Sequence, residues 1–177
     1  MSFVLIALAI AGAWWLISRL RVTRPAMAMM TTRIAFPDGG VRLVDVAGSL
    51  AKLRSPEEIV IPFEHAVLVI TYPLSTPASI AIDAAFPIGF TRSELVKAVC
   101  EEYANVYEAE EGTAHTKSVP LEERGDGEQR NRTDGVYGIW GHDLADLRLT
   151  ALRWTRLPQG TVEIELHVEG APRQPER

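Results

Sequence analysis

The residues whose types and spacing are best suited to chemistry lie between Thr133 and Leu147, in the run TDGVYGIWGHDLADL. Gly135, Gly138 and Gly141 stand at every third position, Tyr137 and Trp140 fall between them, and His142, Asp143 and Asp146 follow. A Gly-x-x-Gly-x-x-Gly run can cradle a phosphate where it joins a strand to a helix N-terminus, whose free amides and dipole complete the site. Here the segment from Leu147 onward has the character of a strand, so the cradle lacks its helix. His142, Asp143 and Asp146 offer two or three metal donors on one short turn, with no second cluster at matching spacing. An acid–base pair would need His142-Asp143 to meet another titratable step such as Glu64-His65, while His115 and His167 stand apart. No Gly-x-Ser-x-Gly elbow, Walker-type phosphate loop or His-Glu-x-x-His helix is present. No catalytic, cofactor-binding or metal-binding residue is therefore assigned, and the expectation is a protein that is not an enzyme and carries no cofactor. The same run reads more simply as a glycine-jointed plug. Thr133-Asp134-Gly135 makes a turn, Val136, Tyr137, Ile139 and Trp140 pack or meet a partner, and His142 or Asp143 bonds turn amides.

The elements around this run follow from periodicity. Leu147–Leu157 (LRLTALRWTRL) and Thr161–Glu169 (TVEIELHVE) form a hairpin about Pro158-Gln159-Gly160, with Val162, Ile164, Leu166 and Val168 on one face of the last strand. His65–Tyr72 and Ser79–Phe86 are β-branched, apolar and separated by Pro73 and Pro77, which predicts two adjacent antiparallel strands. Thr91-Arg92-Ser93-Glu94 is a capping box, and Leu95, Val99, Tyr103, Val106 and Tyr107 repeat at helical spacing, predicting a helix over 92–110. Cys100 lies on or beside that stripe as a packing group. At the helix end Glu108, Glu110 and Glu111 read as a solvated face. Residues 33–46 read as a hairpin about Pro37-Asp38-Gly39-Gly40, and 47–62 as a loop with at most one helical turn. Residues 112–135 are polar and without apolar period, a loop long enough to be either functional or disordered. The predicted fold is α+β: a small domain of antiparallel sheet with one main covering helix over 32–170, then a loose tail at 171–177.

The segments GFTRSELVKAVCEEYANVYEAEE and TDGVYGIWGHDLADLRL together resemble an uncharacterised plant-type family in which such a helix precedes a D-G-x-Y-G-I-W-G-H-D turn. The resemblance covers residues 88–150. It implies a shared fold and, as the family has no established activity, no catalytic residue.

The two ends of the chain differ in charge. Residues 1–24 carry Arg19, Arg21 and Arg24 and no acid, which leaves 15 bases against all 23 acids in the remainder. So acidic a body lacks the clustered Lys and Arg of a nucleic-acid partner. Phe3–Ile17 contains no polar side chain, and with its neighbours makes a helix of about 20 residues, roughly 30 Å long and sufficient to span a bilayer. The arginines follow the apolar run instead of preceding it, which predicts an anchor at 1–22 with the amino terminus outside and the domain cytoplasmic, joined by a linker at 23–31. Trp14 and Trp15 with Arg19, Arg21 and Arg24 suit the inner interface. Ala7, Ala9, Ala11, Gly12 and Ala13 make a small-residue face that packs on transmembrane helices of other subunits. The function expected is a non-catalytic, single-pass accessory subunit capping a larger membrane complex, a respiratory or photosynthetic assembly being one such host. Tyr137, Trp140, His142 and Asp143 are its candidate partner contacts. Two alternatives stand beside it: a membrane-tethered ligand-binding or enzymatic domain with its site at 112–146, and an exported protein cleaved after Ala26-Met27-Ala28.

Overall fold

The computed structural model describes residues 30–36, 39–125 and 128–170. In chain order the elements are β1 (Met30–Ala35), β2 (Val41–Arg42), α1 (Val46–Ala51), β3 (Ile59–Ile61), β4 (His65–Ile70), β5 (Ala78–Asp83), β6 (Phe90–Thr91), α2 (Arg92–Thr113), β7 (Leu147–Arg156) and β8 (Val162–Gly170). The expected span at 1–22, with Ala7, Ala9, Ala11, Gly12, Ala13, Trp14, Trp15, Arg19, Arg21 and Arg24, lies outside the described residues, as do 23–29, Pro37-Asp38 and the tail. Among the described residues no helix is long and apolar enough to cross a membrane.

The α+β class holds, with one main helix, but the sheet is mixed where an antiparallel one is expected. Its strand order is β1-β7-β8-β4-β5, with β2 beside β1 on β7. The β4-β5 and β7-β8 hairpins form as the alternation predicts, and they join through β4 and β8, which lie parallel with Val67 opposite Glu163. A parallel pair needs a long crossover, and α2 with the polar loop after it supplies one. In this arrangement both hairpins bury their apolar residues in the core that α2 shares: Leu68, Ile70, Leu152 and Ile164 cluster with Leu95, Val96, Val99, Cys100, Tyr103 and Val106. The Tyr103 hydroxyl donates to the Tyr72 carbonyl at 2.9 Å. Burial, with the Glu101 carboxylate nearby, pushes the Cys100 thiol up to about 11, so it packs as a neutral group.

Residues 33–46 do not fold back as a hairpin. β1 and β2 both run antiparallel to β7, with Ala35 opposite Ala151 and Arg42 opposite Arg148. They are two pieces of one edge, interrupted at Gly39 and Gly40, whose φ values of 83° and 77° break the extended backbone. The interruption faces a bulge in β7. Leu149 is opposite Val168 and Ala151 opposite His167, so Thr150 is the extra residue. The bulge resets the alternation, and Leu147 and Leu149 before it and Leu152 and Trp154 after it are all buried. Residues 47–62 are also more ordered than expected. Asp45 caps α1 by accepting the Gly48 amide at 2.9 Å, and β3 pairs with β6 in a separate two-stranded ladder. Ser55–Glu58 form a turn, with Ser55 at φ 49°.

Register sorts the connections to two ends of the sheet. Met30 is opposite Arg156 and Arg156 opposite Val162, while His65 and Asp83 pair at the same end of β4 and β5. The other end carries the 71–77 connection, the end of β8 and the start of β7. Helix α2 starts near the first end, where its Glu94 accepts the Ala85 amide at 3.1 Å, and closes at the second. Its capping box is present as predicted: Thr91 Oγ1 accepts the Glu94 amide at 3.2 Å and Glu94 accepts the Thr91 amide at 2.7 Å. Thr91→Ala is expected to lower stability by about 1 kcal/mol, and Thr91→Ser to restore most of it, read as shifts of the urea midpoint at constant slope.

Candidate functional site

The acidic end of α2 is not simply a solvated face. Glu110 is 0% exposed, and its carboxylate sits inside the glycine run. One oxygen accepts the Gly135 amide at 2.8 Å, the Thr133 hydroxyl at 2.5 Å and, more weakly, the Ile139 amide at 3.4 Å. The other accepts the Tyr137 amide at 2.8 Å and the Gly138 amide at 3.0 Å. Converging backbone amides form an anion-binding concavity. The first Gly-x-x-Gly of the run therefore does build a cradle, and the anion in it is the chain's own carboxylate, while the Gly141 amide donates to the Arg130 carbonyl. Negative charge at a helix C-terminus opposes the dipole, and these donors offset that cost. Burial pushes the Glu110 carboxyl up, but the Thr133 hydroxyl and the amides of Tyr137, Gly138 and Gly135 outweigh it and hold the group below the usual carboxylate range.

Two glycines make the close approach possible. A Cβ at Gly135 would stand 2.6 Å from the Glu110 carbonyl and carboxylate, and Gly138 has φ 64°. The run is also tied to the 73–76 segment. Ser75 donates its amide to the Tyr137 carbonyl at 3.0 Å and its hydroxyl to the Gly138 carbonyl at 2.8 Å, and the Trp140 amide donates to the Pro73 carbonyl at 3.1 Å.

Within the run Asp143 caps the Leu144–Asp146 turn and Asp146 accepts the Asp143 amide at 3.1 Å, while the loop before the run holds other polar groups. Arg124 donates twice to Asp143, at 2.7 and 3.1 Å, and Arg130 Nε lies 3.5 Å from the same carboxylate. Both guanidinium side chains are 4% exposed, and that of Arg130 lies over the Tyr107 ring. The Tyr107 hydroxyl donates to the His142 carbonyl at 2.9 Å. Asn131 accepts the Val119 amide and donates to the Lys117 carbonyl, and Asp134 accepts the Thr116 amide, so the described parts of 112–135 are ordered by polar contacts without an apolar core of their own.

Of the candidate residues, Ile139 is the true plug, fully buried, while Val136 and Trp140 are 52% and 40% exposed. Trp140 stands edge-on to Tyr72 at 5.4 Å, and Tyr72 lies tilted against the His142 ring at 5.7 Å. The two His-acid steps do not meet. His65 is at the far end of the sheet, where Asp83 at 2.8 Å, with Glu64 beside it, raises its pKa. Among the described residues no three His, Cys, Asp or Glu side chains gather where they could hold a metal ion. Asp143 is engaged by arginine, and Glu110 by amides. The residues missed in the sequence are Glu110, Thr133, Arg124, Arg130 and Tyr72. Only Glu110 leaves a signal, because it continues the apolar stripe four positions after Val106 and seven after Tyr103.

Compared with known proteins, the chain matches no family model, no curated protein and no solved structure.

Glu110→Gln is expected to lower stability at neutral pH by about 3 kcal/mol, because one carboxylate oxygen is replaced by a donor that faces other donors. The pH dependence has a definite sign. A carboxyl held below its unfolded value near 4.5 stabilises fully above that value, and the contribution is lost as pH falls through the depressed folded value. Thermal unfolding of wild type and variant across pH 3–7 should therefore converge at the acid end. Gly135→Ala is expected to cost about 1–3 kcal/mol by overpacking the same contact, measured by denaturant unfolding.

Proposed function

We propose that this chain is a non-catalytic, single-pass accessory subunit of a larger membrane protein complex, anchored by residues 1–22, with residues 32–170 capping the assembly on the cytoplasmic side. The observation that carries this reading is the condition of the 133–146 loop. Its converging amides are filled by Glu110, Asp143 is taken by two arginines, and the His142 carbonyl by Tyr107, so these groups serve the loop's own fold. Its exposed large apolar side chains are Val136 and the Trp140 ring, the latter braced by Tyr72, with Asp134 exposed beside them. An aromatic side chain on fixed backbone is a typical anchor of a protein contact.

Placement supports the same reading. The chain enters the sheet at Met30, and the loop lies at the opposite end, against Ser75 and the end of β8. A domain tethered through residues 1–29 would hold Trp140 away from the bilayer, toward a partner's extramembrane part. The polar-free run Phe3–Ile17 and the arginines after it supply the tether.

Extraction of the full chain from its native membrane in mild detergent is expected to give a particle far larger than 19.5 kDa, with other subunits bound. Trp140→Ala should weaken that association by about 2 kcal/mol, roughly thirtyfold, while thermal unfolding stays within a few degrees of wild type. A monomer that carries no other subunit sinks the proposal.

A further inference from the structure

At the end of the sheet where β1 receives the N-terminal segment, the fold leaves two large apolar side chains more uncovered than the 48% exposed Met30. Phe86 and Ile88, in the connection from β5 to β6, are 65% and 67% exposed. Their backbone is held in place. The Ala85 amide donates to Glu94 at 3.1 Å, the Gly89 amide closes a turn onto the Phe86 carbonyl at 3.1 Å, and a side chain at Gly89 (φ 115°) would collide with the Ile61 carbonyl. Phe90, the next residue, is buried. The turn therefore presents Phe86-Pro87-Ile88 as a fixed apolar tip.

The place of that tip follows from register. Met30 faces Arg156, Arg156 faces Val162, the neighbouring Glu163 faces Val67, and Ala66 faces Ile82. One row thus crosses the sheet from Met30 to the close of β5, and the tip follows within five residues of that close, at the end at which residues 1–29 join. Four interstrand steps of about 4.8 Å set the close of β5, from which the tip continues, roughly 19 Å to the side of β1. Residues 23–29 can extend no more than roughly 25 Å, so a span at 1–22 keeps this end of the sheet close to the bilayer.

We propose that the Phe86-Pro87-Ile88 tip is a second membrane contact, inserting among the headgroups and upper acyl chains of the bilayer that residues 1–22 span. The inference rests on the membrane-tethered reading given above. Glu64 and Asp83 lie near the tip, so the attraction is apolar and indifferent to salt. One tether alone leaves a domain free to tumble, whereas a second contact roughly 19 Å away, by the same four-strand estimate, fixes its tilt and points the Trp140 loop outward.

The test uses the full chain in phosphatidylcholine vesicles, with Ile88→Cys or Thr76→Cys carrying a polarity-sensitive fluorophore; Cys100 is buried and stays unlabelled. Thr76 is exposed at the opposite end of the sheet. The label at 88 is expected to shift to the blue and to be quenched by nitroxide lipids at least about threefold more than the label at 76, equally at low and high salt. Phe86→Ser should reduce that quenching. Vesicles that carry the protein with the label at 88 in water, or with both labels quenched alike, overturn the second contact and leave the tether standing. A chain that does not float with the vesicles overturns the tether and the contact together.

Discussion

One buried carboxylate organises the glycine-rich end of this domain. Glu110 closes the long helix and at the same time gathers the donors of Thr133, Gly135, Tyr137 and Gly138, so a glycine-rich loop without regular structure acquires a fixed shape. The constraint acts in both directions. The loop amides need an anion because they are turned inward, and the anion needs the amides because it lies at the negative end of a helix and away from water. Removing either partner leaves the other buried and unsatisfied. The loop therefore depends on the helix having the right length, and that length is set at the other end by the Thr91–Glu94 capping box.

From this staple the rest of the site follows. With the loop backbone held, Ser75 and Pro73 bond it from the β4-β5 connection, Tyr72 braces Trp140 and His142, and Asp143 collects Arg124 and Arg130 from the preceding loop. These contacts turn inward most of the groups that resemble catalytic equipment in the sequence. Val136 and the Trp140 ring stay exposed, with Asp134 beside them. The two sheet ends differ in what they carry: one is joined to the N-terminal segment and carries the Phe86-Ile88 tip, the other carries the braced loop.

The elements with strong period were legible in the sequence. The β4-β5 and β7-β8 hairpins and the capped helix follow from alternation, turn residues and a capping box, all of them local signals. What was not legible is non-local. The parallel pairing of β4 with β8 depends on how two hairpins share one helix, and nothing near Val67 or Glu163 encodes it. The bulge at Thr150 and the break at Gly39-Gly40 are matched across strands, so neither segment alone shows why β1 and β2 belong to one edge. Glu110 is the instructive case. Its neighbours Glu108 and Glu111 make it look solvated, while its register with Tyr103 and Val106 puts it on the buried face. Helical phase outweighs local charge there because the glycine run supplies donors that a water-exposed acid would not need.

The most direct measure of this account is amide hydrogen exchange at Tyr137 and Gly138 near neutral pH. If Glu110 holds the loop as described, both amides exchange as slowly as those of β7 in the sheet, despite lying in a glycine-rich segment between two turns. Exchange at the rate of an unstructured loop, with the β7 amides still protected, would contradict it.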